Sequence, residues 1–173
     1  NQTYTAAGGI VTSGARTFEG DTINFASALS GDNNVTVTGN ADIDGAVTSI
    51  AVLSVSGTSN IGADITTSGT QTYTDAVTLS AHVTLTTSSD AVTFSSTINS
   101  ADSTRRNLTI ATGGDSTTVI FDGIVGGSQA VGEIAITGVL DLDAAITDAT
   151  SVSVSGTSNL GANVTTTGTQ TYS

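Results

Sequence analysis

The feature that most constrains this chain is a phrase it carries twice, SVSGTSNIGADITTSGTQTY at residues 54–73 and SVSGTSNLGANVTTTGTQTY at residues 153–172. The copies differ only at Ile61/Leu160, Asp64/Asn163, Ile65/Val164 and Ser68/Thr167 and stand 99 residues apart. The same offset aligns Val35-Thr36-Val37-Thr38-Gly39 with Ile134-Ala135-Ile136-Thr137-Gly138, and Asp42-Ile43-Asp44 with Asp141-Leu142-Asp143. Gln-Thr-Tyr occurs a third time at Gln2-Thr3-Tyr4, 69 residues before Gln71-Thr72-Tyr73, and Asp21–Phe25 matches Asp90–Phe94 at that distance. The first module is therefore the second without about 30 residues, which fall near 103–132. A closed sandwich that lost strands from its middle would lose their partners and their facing layer. A solenoid gains or loses coils freely, because each coil touches only its neighbours.

The intervening residues agree. Segments such as Thr22-Ile23-Asn24-Phe25, Leu53-Ser54-Val55-Ser56, Val83-Thr84-Leu85-Thr86 and Val119-Ile120-Phe121 alternate apolar with small polar residues, which buries one face of a strand. Breaks such as Ser30-Gly31-Asp32-Asn33, Gly113-Gly114-Asp115 and Gly126-Gly127-Ser128 are turn chemistry, and the last marks a protruding loop. No segment shows helical periodicity. Strand starts near Leu53, Gln71, Ala91, Leu108, Ile134 and Val152 recur 17 to 26 residues apart. The chain is predicted to be all-β, a parallel β-helix (β-solenoid) of about eight to nine coils stacked ~4.8 Å apart. Residues 1–70 form a shorter module and 71–169 a longer one, and 170–173 begin a third. The alternative is a pair of Ig-like β-sandwich modules, which a period near ~100 residues would suit. Phe18, Phe25, Phe94 and Phe121 are expected to stack inside. Asn60 and Asn159 read as exposed turn residues, with an internal Asn ladder as the alternative.

Composition narrows function. Arg16, Arg105 and Arg106 are the only basic side chains against fifteen acids, a net charge of −12. Such a chain has no cationic patch with which to displace counterions from nucleic acid or to meet an anionic membrane surface. Cysteine is absent, which removes disulfides and thiolate metal sites together. No apolar run approaches the ~18 residues needed to span a bilayer, so membrane insertion is not expected. With neither a signal peptide nor an initiating Met, the stretch reads as the interior of a longer secreted product.

Few residues offer chemistry. His82 is the only imidazole and lacks a nucleophile context such as G-x-S-x-G, so it reads as a solvated turn residue. Asp42 with Asp44, and Asp141 with Asp143, each place two carboxylates on one face with Ile43 or Leu142 inward. They are the candidate Ca²⁺ ligands, set against a solvated acidic face that blocks lateral sheet pairing. Glu19 and Glu133 stand alone, and sugar-binding aromatic platforms are lacking. Arg105 and Arg106 are read either as a contact to an acidic face of an adjacent module or subunit, or as a pair neutralising Asp102 and Asp115. Gln2, Tyr4, Gln170 and Tyr172, at the module seams, join them as candidate inter-module contacts. Thr rows such as Thr36/Thr38 and Thr84/Thr86 would suit an ice-binding plane if T-x-T recurred at one place on successive coils.

The phrases GTQTYTDAVTL (69–79), VTLTTSSDAVTFSSTI (83–98), LTIATGGDSTTVIFDG (108–123) and IAITG (134–138) resemble the degenerate repeats of large bacterial exoproteins related to filamentous haemagglutinin. The resemblance implies a right-handed parallel β-helix, export through an outer-membrane partner or autotransporter pore, and a place in a surface fibre or adhesin. The expected function is a structural, non-enzymatic filament body or spacer without a cofactor. It would associate with itself or with neighbouring repeats through open sheet edges at its two ends. Ligand binding, by Ca²⁺-dependent carbohydrate adhesion or to ice, is the alternative.

Overall fold

The computed structural model describes all residues, 1–173. Every strand pairing is parallel and no helix occurs, so no helix is long and apolar enough to cross a membrane. The chain is a β-solenoid of about nine turns. Antiparallel sandwich modules are thereby excluded.

Each coil is a triangle with three short sides. On the first side, 35–37 pairs with Leu53–Val55, then Gln71–Tyr73, Val92–Phe94, 119–121, 140–142 and Ser158–Leu160, with 16–18 before them. On the second, Gln2–Tyr4 is followed by 23–25, 41–43, Ser59–Ile61, Val77–Leu79, Ile98–Ser100, Val125, Ile146 and Val164–Thr166. The third runs Ile10–Val11, Leu29–Ser30, Val47–Ile50, Ile65–Thr67, Val83–Thr86, Leu108–Ala111, 134–137, 152–154 and Gln170–Tyr172.

The local rule is a hexad. From 35 to 82 each side takes six residues: inward, outward, inward, then a corner whose second residue is usually small, as in Gly39, Gly45, Ala51, Gly57, Ala63 and Gly69; the one departure is at 47–50, where an irregularity at Ser49 turns Ile50 inward. Gly39 shows why. Its φ of 121° and the Gly20 carbonyl lying where a Cβ would project leave no room for a side chain. Eighteen residues thus close a coil, as the 18-residue step from Val35 to Leu53 and from Leu53 to Gln71 records. Later coils are longer: the corner at 87–91 lengthens the step from Gln71 to Val92, loops at 101–107 and 112–117 the step from Val92 to Val119, and the loop at 126–130 the coil after it. The strand starts named from sequence mixed two sides: Leu53, Gln71 and Ala91 open the first, and Leu108, Ile134 and Val152 belong to the third.

The inward positions form one continuous aliphatic and aromatic core, including Ile23, Phe25, Ile43, Leu53, Tyr73, Leu85, Phe94, Phe121 and Leu142, all fully buried. Burial of each such side chain contributes about 1.5–3 kcal/mol. The aromatic stacks are as expected. Tyr73 lies 5.1 Å from Phe94 at 14°, Phe94 is 5.5 Å from Phe121, and Phe18 and Phe25 meet edge to face beneath Tyr4.

The repeated phrase does not return to the same side. Its first copy starts on side one, with Leu53–Val55, and its second on side three, with 152–154. Gln-Thr-Tyr accordingly occupies side two at Gln2, side one at Gln71 and side three at Gln170. The two modules advance eleven and fourteen sides, each two more than a multiple of three. The thirty residues that distinguish them are one eighteen-residue coil plus twelve residues of corner loop.

Candidate functional site

The acidic pairs sit on outward ladders. Ile43 and Leu142 point inward and are fully buried, as the alternation required. Asp42 lies between Asn24 and Asn60 on neighbouring coils of side two. Asn60 Nδ2 donates to Asp42 Oδ1 at 2.8 Å, and Asn24 Nδ2 donates to Asp42 Oδ2 at 2.6 Å and to Asp44 Oδ2 at 3.0 Å. In the second copy Asn159 Nδ2 donates to Asp141 Oδ1 at 2.7 Å, now on side one. Asn60 and Asn159 are thus strand residues on an outer ladder, which corrects both the turn and the interior readings. The physical reason is register: eighteen residues place Asn60 directly beside Asp42. Charge-assisted bonds of this kind contribute about 1.5–3 kcal/mol where shielded and less in contact with water. No group of three or more His, Asp or Glu side chains converges in a way that could hold a metal ion.

Beside this ladder, a shallow cleft of about 270 Å³ crosses the corner between sides one and two, lined by Thr22, Asn40, Asp42, Thr58, Ser59 and Asn60 among others. Ser59 Oγ and Asn60 Oδ1 there have no protein partner, and neither does the equivalent Ser158 Oγ. The lining is polar and holds a single carboxylate, with no nucleophile–base pair.

The inward Gln–Tyr pair is the polar site that sequence reasoning passed over. Tyr73 Oη donates to Gln71 Oε1 at 3.1 Å. Gln71 Nε2 donates to the Thr86 carbonyl at 2.9 Å, and makes longer bonds to Thr67 Oγ1 and the Ile65 carbonyl. Both side chains are fully buried. Burial holds the Tyr73 phenol well above the ordinary tyrosine range. The pair recurs at both ends, Tyr4 to Gln2 and Tyr172 to Gln170, where the side chains are partly or fully exposed. The signal was available: two residues apart in a strand means one face, and here that face is the core.

Arg105 spans three levels of one corner. Its Nη1 donates to the Val131 carbonyl at 3.0 Å and its Nη2 meets Asp148 Oδ1 at 2.7 Å, within this chain. Arg106 pairs with Asp102 at 3.4 Å. Asp102 is held below the usual carboxylate range chiefly by the backbone N–H of Thr104, then by the Thr104 hydroxyl, with Arg106 adding to it. Asp115 takes no arginine and accepts from Ser155 Oγ at 2.7 Å. His82 Nδ1 accepts the backbone N–H of Asn107 at 3.0 Å, and no serine or carboxylate completes a triad with it.

On side one the outward residues form two hydroxyl columns over four consecutive coils: Thr36/Thr38, Ser54/Ser56, Thr72/Thr74 and Thr93/Ser95. Because the phrase changes sides, the comparable columns in the second half, Thr84/Thr86 to Thr171/Ser173, lie on side three and are broken by Ala111 and Ala135.

Comparison with protein-family models, with curated proteins and with solved structures finds no match for this chain. Function therefore rests on the geometry.

Proposed function

We propose that this chain is a structural, non-enzymatic repeat segment of an extracellular surface fibre or adhesin, a rigid filament body or spacer that associates end to end. The observation that carries this is the uninterrupted parallel stack around one continuous inward core, in which every coil is built to be covered by another: even the polar Gln71 and Tyr73 are fully buried between their neighbours. Nine turns spaced ~4.8 Å apart make a rod about 40 Å long. The acidic surface keeps such rods from sticking sideways, and bonds between coils supply the rigidity. The resemblance to haemagglutinin-type exoprotein repeats supports the location at a cell surface.

Sedimentation velocity over a hundredfold concentration range, with negative-stain microscopy of the same samples, tests it. Thin unbranched rods one coil wide that lengthen with concentration are expected. A monomer at every concentration would refute end-to-end association.

A second reading, ice binding, draws on the four-coil hydroxyl plane of side one, where T-x-T or its Ser equivalent recurs in register. An ice-recrystallisation assay decides it: inhibition that Thr72→Lys abolishes supports that plane, and no inhibition removes the reading.

A further inference from the structure

We propose that Asp122–Gly123 is a self-modification site, where the folded chain converts the aspartate to its β-linked isomer through a cyclic imide. The chemistry is independent of fibre formation and uses only groups within one corner of the solenoid.

The reaction needs an aspartate, the backbone nitrogen that follows it, and water. That nitrogen attacks the aspartate Cγ, a new N–C bond closes a five-membered imide, and one carboxyl oxygen leaves as water. Water then opens the imide at either carbonyl. Opening at the side-chain carbonyl restores aspartate. Opening at the backbone carbonyl leaves the main chain running through Cβ, one methylene longer. No oxidant or reductant takes part. Glycine favours the attack because it has no Cβ to crowd the nitrogen. An N–H already donating to a carbonyl yields its proton less readily, and a carboxylate held by a donor does not turn freely onto it.

The chain contains two Asp-Gly steps, Asp44–Gly45 and Asp122–Gly123. Each stands at a corner, with an exposed aspartate directly after a fully buried inward residue, Ile43 or Phe121. Each glycine packs so closely on the coil before it that a Cβ would strike backbone, of Ser27 in one case and Ser96 in the other. The corners are alike; the reacting groups are not. Gly45 N–H donates to the Phe25 carbonyl at 2.8 Å, and Asp44 Oδ2 accepts from Asn24 Nδ2 at 3.0 Å. At the second corner Asp122 N–H donates to the Phe94 carbonyl at 2.9 Å, but Gly123 N–H makes no hydrogen bond and the carboxylate has no donor. Register supplies the reason for the carboxylate. Asn24 lies beside Asp42, two residues before Asp44, whereas the matching place beside Ile120 is held by Thr93, which makes no bond to Asp122. The two Asp-Ser steps are also tethered: Asp102 accepts from the Thr104 backbone N–H at 2.7 Å, and Asp115 from Ser155 Oγ at 2.7 Å.

The added methylene falls where the coil is held lightly. Val125, which ends this corner, is fully buried but joins its neighbours by single bridges to Ile98 and Ile146. Earlier coils of the same side pair through three residues each.

Prolonged incubation of the chain in warm neutral buffer, folded and in urea, tests the proposal. An isoaspartyl carboxyl methyltransferase with labelled S-adenosylmethionine counts the isomer. An endoprotease that cuts before aspartate but not before isoaspartate, followed by mass spectrometry, locates it. In the folded chain residue 122 is expected to carry several-fold more isomer than residue 44, and in urea the two should be similar. D122E, at an exposed position, would have to close a larger ring and should remove most of the folded-state label. D122N, which loses ammonia in place of water, should raise it. Equal isomer at 44 and 122 in the folded chain overturns the proposal. So does label centred on 102 or 115, label that D122E leaves unchanged, or no label at all.

Discussion

Replacing Gln71 by Leu and, separately, Gln170 by Leu tests the physics of the core with one motif in two settings. At Gln71 the substitution keeps the volume but removes the acceptor of the Tyr73 hydroxyl and the donor to the Thr86 carbonyl and Thr67 Oγ1. A buried hydroxyl left without a partner costs about 1–3 kcal/mol, and each lost bond about 1 kcal/mol more, partly offset by the added apolar surface. The expected loss for Q71L is about 2–4 kcal/mol. Gln170 makes the same bonds to Tyr172, Thr166 and Val164, but in the single chain it is exposed, so at concentrations where the chain is monomeric water replaces them and Q170L should cost under about 1 kcal/mol. Tyr73→Phe alone leaves Gln71 Oε1 without its donor, whereas Q71L/Y73F removes both partners, so the pair should be coupled by about 1–3 kcal/mol. Urea titration followed by circular dichroism measures all four. Equal losses at Gln71 and Gln170, or additive losses at Gln71 and Tyr73, would refute the argument.

Gly39→Ala and Gly138→Ala should each cost at least about 1–3 kcal/mol in the same titration, since both glycines have φ above +120° and a backbone oxygen where the Cβ would stand. Gly114→Ala, with nothing nearby, should stay within about 0.5 kcal/mol. Phe94→Ala, fully buried between Tyr73 and Phe121, should cost about 3–5 kcal/mol and lower the melting temperature accordingly. In alkali the Tyr73 phenol ionises less readily folded than unfolded. Stability should therefore hold below the ordinary tyrosine value of about 10 and fall as pH rises above it, and Y73F should flatten that decline in urea midpoints measured across the range.

The solenoid was legible because two signals converged. Alternation at stretches such as Leu53-Ser54-Val55 required half-buried strands, and modules of unequal length required coils that can be added. The hexad was hidden by corners of unequal width. Between Ile98 and Leu108, and between Ala111 and Val119, loops break a spacing that is regular from 35 to 82, so comparing strand starts across them joined different sides. Asp42 was legible as outward, but its partnership with Asn60 depends on an eighteen-residue register that only the pairings reveal. Arg105 shows the same limit: Asp148 is 43 residues away in the chain and meets it because the coils stack one corner on another.

Interstrand nuclear Overhauser contacts in solution test the central claim most directly. The account predicts two separate parallel columns, Val35–Leu53–Gln71–Val92 and Leu108–Ile134–Val152–Gln170, although Ser54-to-Gln71 and Ser153-to-Gln170 belong to the same repeated phrase. Antiparallel contacts, or one column holding both copies of the phrase, would contradict it.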